Sequence, residues 1–297
     1  MKYVMEVWDK YNKKDKKILV DNGAISFCTN SVESRKNVVV NTQNILVNSG
    51  KVTLDKDVGY AFAKGVGMSY IKRLLLHGYS SFIHVVDLEF ESLTESKLKQ
   101  SRTQLATCPT DYVHAVRVPL KRLTPSWVRK LKQLSIPLII FTVDKHEEII
   151  RFPWIRLIEA AFPIRTMFLL DQHQSVRSKR DIQSVQREWE QTVKNLRLNS
   201  YFHLPAYGEE VPLFFLKRLG MYPYKGSFDS GSHADYMMYL QNKIRITDMV
   251  VPDIIALRGT IVKSNNSWHL RGVVGKEMVS IIPEQFLPIA EVFQYNS

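Results

Sequence analysis

Apolar residues change their spacing along this chain, and the changes divide it into three parts. Before residue 54 they form short runs separated by turn residues. Two of these runs flank the triplet Asp21-Asn22-Gly23, a pattern that predicts a β-hairpin. The predicted strands of this first part lie at 18–20, 24–27, 38–40 and 45–47.

From residue 55 to residue 224, helical and strand patterns alternate. Apolar residues three and four positions apart predict amphipathic helices, and the continuous apolar run Pro137–Val143 predicts a strand covered on both faces. Such alternation predicts right-handed βαβ units around a parallel sheet, either open or closed into a barrel. The predicted strands lie at 82–86, 112–118, 137–143 and 166–170, and the predicted helices at 68–77, 94–105, 125–134 and 181–198.

After Gly226 the pattern becomes β-rich again. Tyr236–Leu240 is one apolar run, and two more runs meet at Arg258-Gly259. The β-rich residues 1–54 and 225–297 therefore flank a core at 55–224. This layout predicts two domains, of which the smaller is built from both ends of the chain.

The composition of the 297-residue chain, with 45% hydrophobic and 24% charged residues, is ordinary for a globular protein. No apolar run reaches the ~18 residues of a transmembrane helix. The first ten residues lack the apolar core of a signal peptide. Cys28 and Cys108 stand far apart and form no metal-binding pair. We therefore expect a cytoplasmic protein without membrane contact.

The formal net charge of +12 permits nucleic acid or an acidic protein as partner. The basic residues are most concentrated between Tyr112 and Val143, a stretch without acidic residues. A solvated helix face is the favoured interpretation, and binding of nucleic acid or an acidic partner is an alternative that no motif supports. The candidate residues of this basic surface are Arg117, Lys121, Arg122, Arg129, Lys130 and Lys132.

One segment is more specific than these patterns. It reads Gly-Met-Tyr-Pro-Tyr-Lys-Gly from Gly220 and ends in Gly-Ser-His-Ala-Asp at Asp235. It resembles a segment of the amidohydrolase superfamily, most closely of the branch that contains dihydroorotase, dihydropyrimidinase and allantoinase. Ile254–Val262 is similar to a strand pair near the C-termini of those enzymes, and Leu75–Ile83 to the helix that returns into their second barrel strand.

This resemblance implies an α/β fold with a (β/α) barrel and a small β-rich composite domain. The core from residue 51 to residue 224 holds about 170 residues, whereas a complete barrel usually takes ~200–250. We therefore expect an eroded or shortened barrel-like core, with the later units reduced or lost.

Amidohydrolases use one or two divalent metal ions, which lower the pKa of a bound water. The resemblance places the first two histidine ligands at positions i and i+2 of a strand, in the stretch that begins at Asp57. Asp57 fits the pattern, but Gly59 and Ala61 stand at both histidine positions. Ile139 or Ile140 stands where this branch has a carboxylated lysine. The resemblance therefore predicts loss of the family's metal site, and we expect no metal or other cofactor.

A second cluster of titratable groups offers an alternative. His84, Asp87 and Glu89 lie near the carboxyl end of a predicted strand, where βα proteins place their sites, and His114 lies in the next strand. A relocated zinc or manganese site on these residues would make the chain a divergent metal-dependent hydrolase of C–N bonds in cyclic amides. A solvated strand end and a core histidine are the favoured interpretation.

Taken with the lost ligands, the resemblance favours a catalytically inactive amidohydrolase-like protein. We expect a binding, scaffold or regulatory role. The expected partner is a second copy of the chain, because family members are commonly homo-oligomers, or an unidentified protein.

Overall fold

The computed structural model describes residues 2–11, 13–29, 37–172, 179–240 and 251–288. The first sheet contains β1 (Lys2–Asp9), β2 (Lys14–Asp21), β3 (Ala24–Thr29) and β4 (Val38–Val40). The order is β3-β2-β1-β4, with β4 parallel to β1. β2 and β3 pair antiparallel, which confirms the predicted hairpin. The next strand, β5 (Ile45–Ser49), belongs to a different sheet.

The central sheet is a parallel half-barrel. It contains β6 (Lys51–Asp55), β7 (Tyr79–Asp87), β8 (Asp111–Pro119), β9 (Leu138–Thr142) and β10 (Met167–Leu170). The order is β10-β9-β8-β7-β6, and all neighbours run parallel, so that their carboxyl ends meet along one edge. The predicted boundary assigns residues 51–54 to the β-rich part of the chain. In the structure these residues belong to β6 of the parallel sheet.

A third sheet draws strands from both halves of the chain. β11 (Tyr236–Leu240) pairs antiparallel with β5. β12 (Ile254–Leu257), β13 (Thr260–Ser264) and β14 (Ser267–Trp268) follow in the order β14-β13-β12-β11-β5. That the first and third sheets form one composite domain stays a prediction.

Most of the helices connect the parallel strands and cover their outer face, and the last of them packs against the inner face. They are α1 (Val58–Ala63), α2 (Gly67–Leu76), α3 (Thr94–Gln104), α4 (Pro125–Gln133), α5 (Glu147–Arg151), α6 (Trp154–Ala161), α7 (Lys179–Leu196) and α8 (Leu213–Leu219). The four helices predicted from apolar spacing are confirmed as α2, α3, α4 and α7. Thr124 caps α4, because its Oγ1 accepts a hydrogen bond from the Trp127 backbone N at 3.1 Å. Within the described ranges, no helix is both long and apolar enough to cross a membrane.

Both edges of the half-barrel contact the irregular segment at 199–211. On the β10 edge, the Phe168 backbone N donates to the Asn199 carbonyl at 3.0 Å. On the β6 edge, the Gly208 and Val211 backbone N atoms donate to the carbonyls of Leu54 (3.1 Å) and Val52 (2.8 Å). One short segment, the spanning segment, therefore connects the two edges of the half-barrel.

Side chains alternate between two faces of the central sheet. The inner face is filled by an apolar plug, which packs against α8 and its flanking residues. The plug includes Val52, Leu54, Ile83, Val85, Val113, Ala115, Leu138, Ile140, Met167, Leu169, Phe215, Leu216 and Met221. The outer face packs against the helices through a second apolar cluster, in which the rings of Phe141, Trp154 and Trp189 contact one another in tilted and edge-to-face arrangements.

The segment that resembles amidohydrolases forms a buried ion cluster at the amino end of β8. Lys225 Nζ donates to Asp111 Oδ2 and to Asp235 Oδ2, both at 2.6 Å. The Arg258 guanidinium also contacts the Asp111 carboxylate, and the Arg258 backbone N donates to Asp235 Oδ1 at 2.7 Å. The cluster joins the central sheet to the third sheet, on the side opposite to the carboxyl ends of the strands.

Candidate functional site

We call the edge where the carboxyl ends of β6 to β10 meet the mouth of the half-barrel. Arg117, near the end of β8, lies in it with only 8% exposure. Its Nε and one terminal nitrogen donate to both carboxylate oxygens of Asp87 at 2.6 and 2.8 Å, a bidentate pair. Its other terminal nitrogen donates to Asp171 Oδ2, just after β10, at 3.1 Å. One guanidinium thus joins carboxylates from β7 and β10.

Tyr207 completes this arrangement from the spanning segment. Arg117 donates to the Tyr207 hydroxyl at 3.3 Å, and burial raises the pKa of that hydroxyl to about 12. The Lys56 ammonium lies 5.4 Å from the Tyr207 ring centroid. Burial alone would lower the pKa of Arg117, but the hydrogen bonds to its carboxylates raise it. The mouth is therefore a permanently charged and internally paired cluster.

Directly beneath Arg117 lies the apolar plug rather than a polar cavity. Ala115, Ile140 and Leu169 on neighbouring strands are fully buried there. Ile139 is also fully buried, but it packs on the outer face. Both candidate positions for the family's lysine are thus core residues of two different clusters.

The stretch that begins at Asp57 is not the end of a strand. β6 ends at Asp55, whose Oδ1 accepts hydrogen bonds from the backbone N atoms of Asp57 and Val58, both at 2.8 Å. These bonds start helix α1, so Gly59 and Ala61 lie on a helix. The expectation that both positions lie on the same side of a strand is wrong, because the strand already ends at Asp55. Side chains two apart on a helix do not face the same way.

Asp55 itself lies on the outer face. Its Oδ2 accepts a hydrogen bond from the Tyr70 hydroxyl at 2.7 Å, and burial raises the pKa of Asp55. Asp55 is the strand neighbour of His84, which is the strand neighbour of His114. These three side chains form a row beneath α1 and α3.

The two histidines of this row have different environments. His84 is buried, and this burial lowers the pKa of His84 to about 3. His114 Nε2 lies 2.8 Å from Ser101 Oγ and His114 Nδ1 lies 2.9 Å from Glu277 Oε1. Burial would raise the pKa of Glu277, but hydrogen bonds from His114 and Arg102 lower it to about 2. His84 is a neutral core residue, and His114 belongs to a satisfied structural network.

The four candidates for a relocated metal site are therefore not brought together. Asp87 faces the mouth, whereas His84 and His114 belong to the outer face, with ring centroids 5.7 Å apart. Glu89 is exposed beyond the end of β7. In the described part of the chain, no group of three or more His, Cys, Asp or Glu side chains is arranged to hold a metal ion.

The divalent ion that the resemblance implies does not fit the mouth either. Arg117 places a permanent positive charge between Asp87 and Asp171, the two carboxylates that could otherwise bind a cation. The guanidinium satisfies the charge of these groups and occupies the space between them. The residues present thus form an ion cluster of their own.

The six candidates for a basic surface are scattered. Arg117 is buried in the mouth rather than exposed, because its partners lie on neighbouring strands. Lys121 pairs with Asp144 and Lys130 with Glu95. The Arg122 guanidinium lies over the Phe90 ring and donates to the Glu89 carbonyl at 3.0 Å. The Lys132 ammonium donates to the carbonyls of Ala160 and Phe162, and Arg129 is exposed.

Sequence reasoning missed several residues of these clusters. Asp55 ends a strand and Asp171 directly follows one, so the rule that strand ends gather functional side chains could have found both. Tyr207 and Glu277 lie in segments without periodic apolar spacing, and no sequence signal marks them.

Comparison with known proteins adds a fold likeness. No protein-family model matches the sequence, and no curated protein does. A solved dihydropyrimidinase from Brevibacillus agri is similar, with a TM-score of 0.57 and 10% identity over 94% of this chain and 98% of that chain. A D-hydantoinase has a TM-score of 0.53 and 10% identity over 94% of this chain and 99% of that chain. A triazine hydrolase variant has a TM-score of 0.52 and 9% identity over 91% of this chain and 96% of that chain. These neighbours are amidohydrolase superfamily members, and the likeness shows a shared fold, a mixed α/β architecture with a parallel half-barrel sheet and additional sheets.

Proposed function

We propose that this chain is a catalytically inactive amidohydrolase-like protein that acts as a binding, scaffold or regulatory protein. The observation that carries the proposal is the bidentate pair of Arg117 with Asp87, extended to Asp171, at the mouth.

The chemistry of a guanidinium supports this reading. Arginine stays protonated at every pH that a folded protein survives, so Arg117 can act neither as a base nor as a metal ligand. Metal-dependent hydrolysis needs a cation with an open position for water. A divalent ion at Asp87 and Asp171 would meet the fixed charge of Arg117 at close range.

A second candidate, a divergent hydrolase of cyclic amides, has support from the fold alone. The similar structures named above include hydrolases. No local observation favours it, because His84, Glu89 and His114 lie apart from the mouth.

An activity assay tests the proposal. Purified chain, with zinc or manganese added, is incubated with hydantoin and with a dihydropyrimidine, and ring opening is measured. We expect no rate above that of buffer with metal. Metal-dependent turnover that Asp87→Asn abolishes, in a variant that keeps the circular dichroism spectrum of the parent, would overturn the proposal. The assignments of homo-oligomerisation and nucleic-acid binding stay predictions.

A further inference from the structure

Helices α6 and α7 border an apolar groove away from the mouth. It consists of two hollows of 480 and 280 Å³, and Leu196 at the end of α7 lines both. Phe152 and Ile155 line the larger hollow, and Ile158 and Phe162 line the smaller one. We call this surface the α6–α7 groove.

The rim of the α6–α7 groove exposes large apolar side chains. Ile150 is 58% exposed, Ile155 is 62% exposed and Phe162 is 72% exposed. Scattered apolar residues are ordinary on a protein surface, but these three line two hollows that share Leu196. Exposed apolar side chains grouped in this way are typical of a site of interaction.

The charged residues that line the two hollows are all arginines. Arg156 lines the larger hollow, and Arg165 and Arg197 line the smaller one. No aspartate or glutamate occurs among the lining residues, all of which lie within the described ranges. Arg165 also binds Glu284, and Glu159 is the exposed acidic residue of α6. The groove thus offers apolar contacts beside arginines.

We infer that the α6–α7 groove binds an amphipathic helix of another protein that carries acidic residues beside its apolar stripe. α6 and α7 satisfy their own backbone hydrogen bonds, so the groove presents side chains rather than a strand edge for a partner. The eight residues of α6 span ~12 Å, which matches an apolar stripe at i, i+3, i+4 and i+7 of a partner helix. Glutamates flanking that stripe would face Arg156.

Two other occupants fit less well. A second copy of this chain in a two-fold contact would bring the same arginines together, and each copy carries a net charge of +12. An anionic membrane would complement the charge, but a flat lipid surface does not fill two hollows of several hundred Å³.

The probe is a synthetic helical peptide of about 18 residues with leucines at i, i+3, i+4 and i+7 and glutamates elsewhere. Fluorescence anisotropy measures its binding to the full chain, and a peptide with lysines in place of the glutamates is the paired comparison. We expect only the acidic peptide to bind, and Ile155→Glu and Arg156→Glu each to weaken it about tenfold or more. Affinity should fall between about 50 and about 200 mM salt. The matched controls, Ile261→Glu on β13 and Lys97→Glu on α3, should bind like the parent.

Any of three results would overturn the inference. These results are no binding of the acidic peptide at concentrations up to about 1 mM, equal binding of the acidic and the lysine peptide, and a loss of affinity in the control variants as large as in the groove variants. Binding to phosphatidylserine vesicles that Ile155→Glu abolishes would assign the groove to a membrane, and dimerisation that the same variant abolishes would assign it to a second copy. Because Arg117 lies outside the groove, Arg117→Met should leave peptide binding unchanged, so the result is independent of activity at the mouth.

Discussion

Lys225 Nζ lies 2.6 Å from Asp111 Oδ2, and both side chains are buried at the amino end of β8. The same ammonium lies 2.6 Å from Asp235, which directly precedes β11. A single lysine therefore joins the central sheet to the third sheet. Lys225 and Asp235 belong to the segment that resembles amidohydrolases. In this structure they stabilise the contact between two sheets and take no part in a catalytic site.

Replacing Lys225 tests this support. Lys225→Met leaves Asp111 and Asp235 buried with fewer positive partners, so we expect the free energy of unfolding to fall by about 3–5 kcal/mol. Burial opposes ionisation of Asp111, but His233, Lys225 and Arg258 hold its pKa well below the usual range. Urea denaturation measures the loss. Lys97→Met, at an exposed position of α3, is the control, and equal stability of both variants would contradict the support role.

Arg117 provides a second stability test with a control from the same basic stretch. Arg117→Met leaves Asp171 buried without this cation and Asp87 without its bidentate partner, and we expect a loss of about 2–4 kcal/mol. This expected loss is smaller than for a fully buried pair because the Asp87 side chain is 60% exposed. Lys121→Met removes an exposed pair with Asp144 and should unfold like the parent in urea. If Arg117→Met had the same free energy of unfolding as the parent, the ion cluster would not stabilise the mouth.

Burial of His84 should make the stability of the fold sensitive to acid. Burial and nearby His114 lower the pKa of His84 from 6.5 to about 3, so the unfolded chain binds a proton that the folded chain does not bind in this interval. Stability therefore decreases as the pH falls from about 6.5 to about 3. His84→Leu should flatten this part of the curve of unfolding free energy against pH. His77→Leu, at an exposed position, should keep the slope of the parent, and an unchanged slope in His84→Leu would refute the assignment.

The elements were predictable where apolar spacing is regular. β8 extends the strand predicted at 112–118 by one residue at each end, and α4 begins at the predicted Pro125. These elements bury one face or both, so their apolar residues recur in the sequence at the spacing of a helix or a strand.

The site was less predictable because its geometry depends on contacts between distant residues. Asp55 ends β6 by binding two backbone N–H groups, and apolar spacing does not show where such a bond forms. Arg117 belongs to a basic stretch, but its partners Asp87 and Asp171 lie 30 and 54 positions away. Only the parallel order of β7 to β10 brings these three side chains together.

The most direct test of the proposal that the mouth is catalytically inactive is the metal content of the purified chain. After incubation with excess zinc or manganese and removal of unbound ions, elemental analysis measures bound metal per chain. We expect far less than one bound ion per chain. Binding of about one ion per chain that is abolished by Asp87→Ala or His114→Ala, in variants that remain folded, would contradict it.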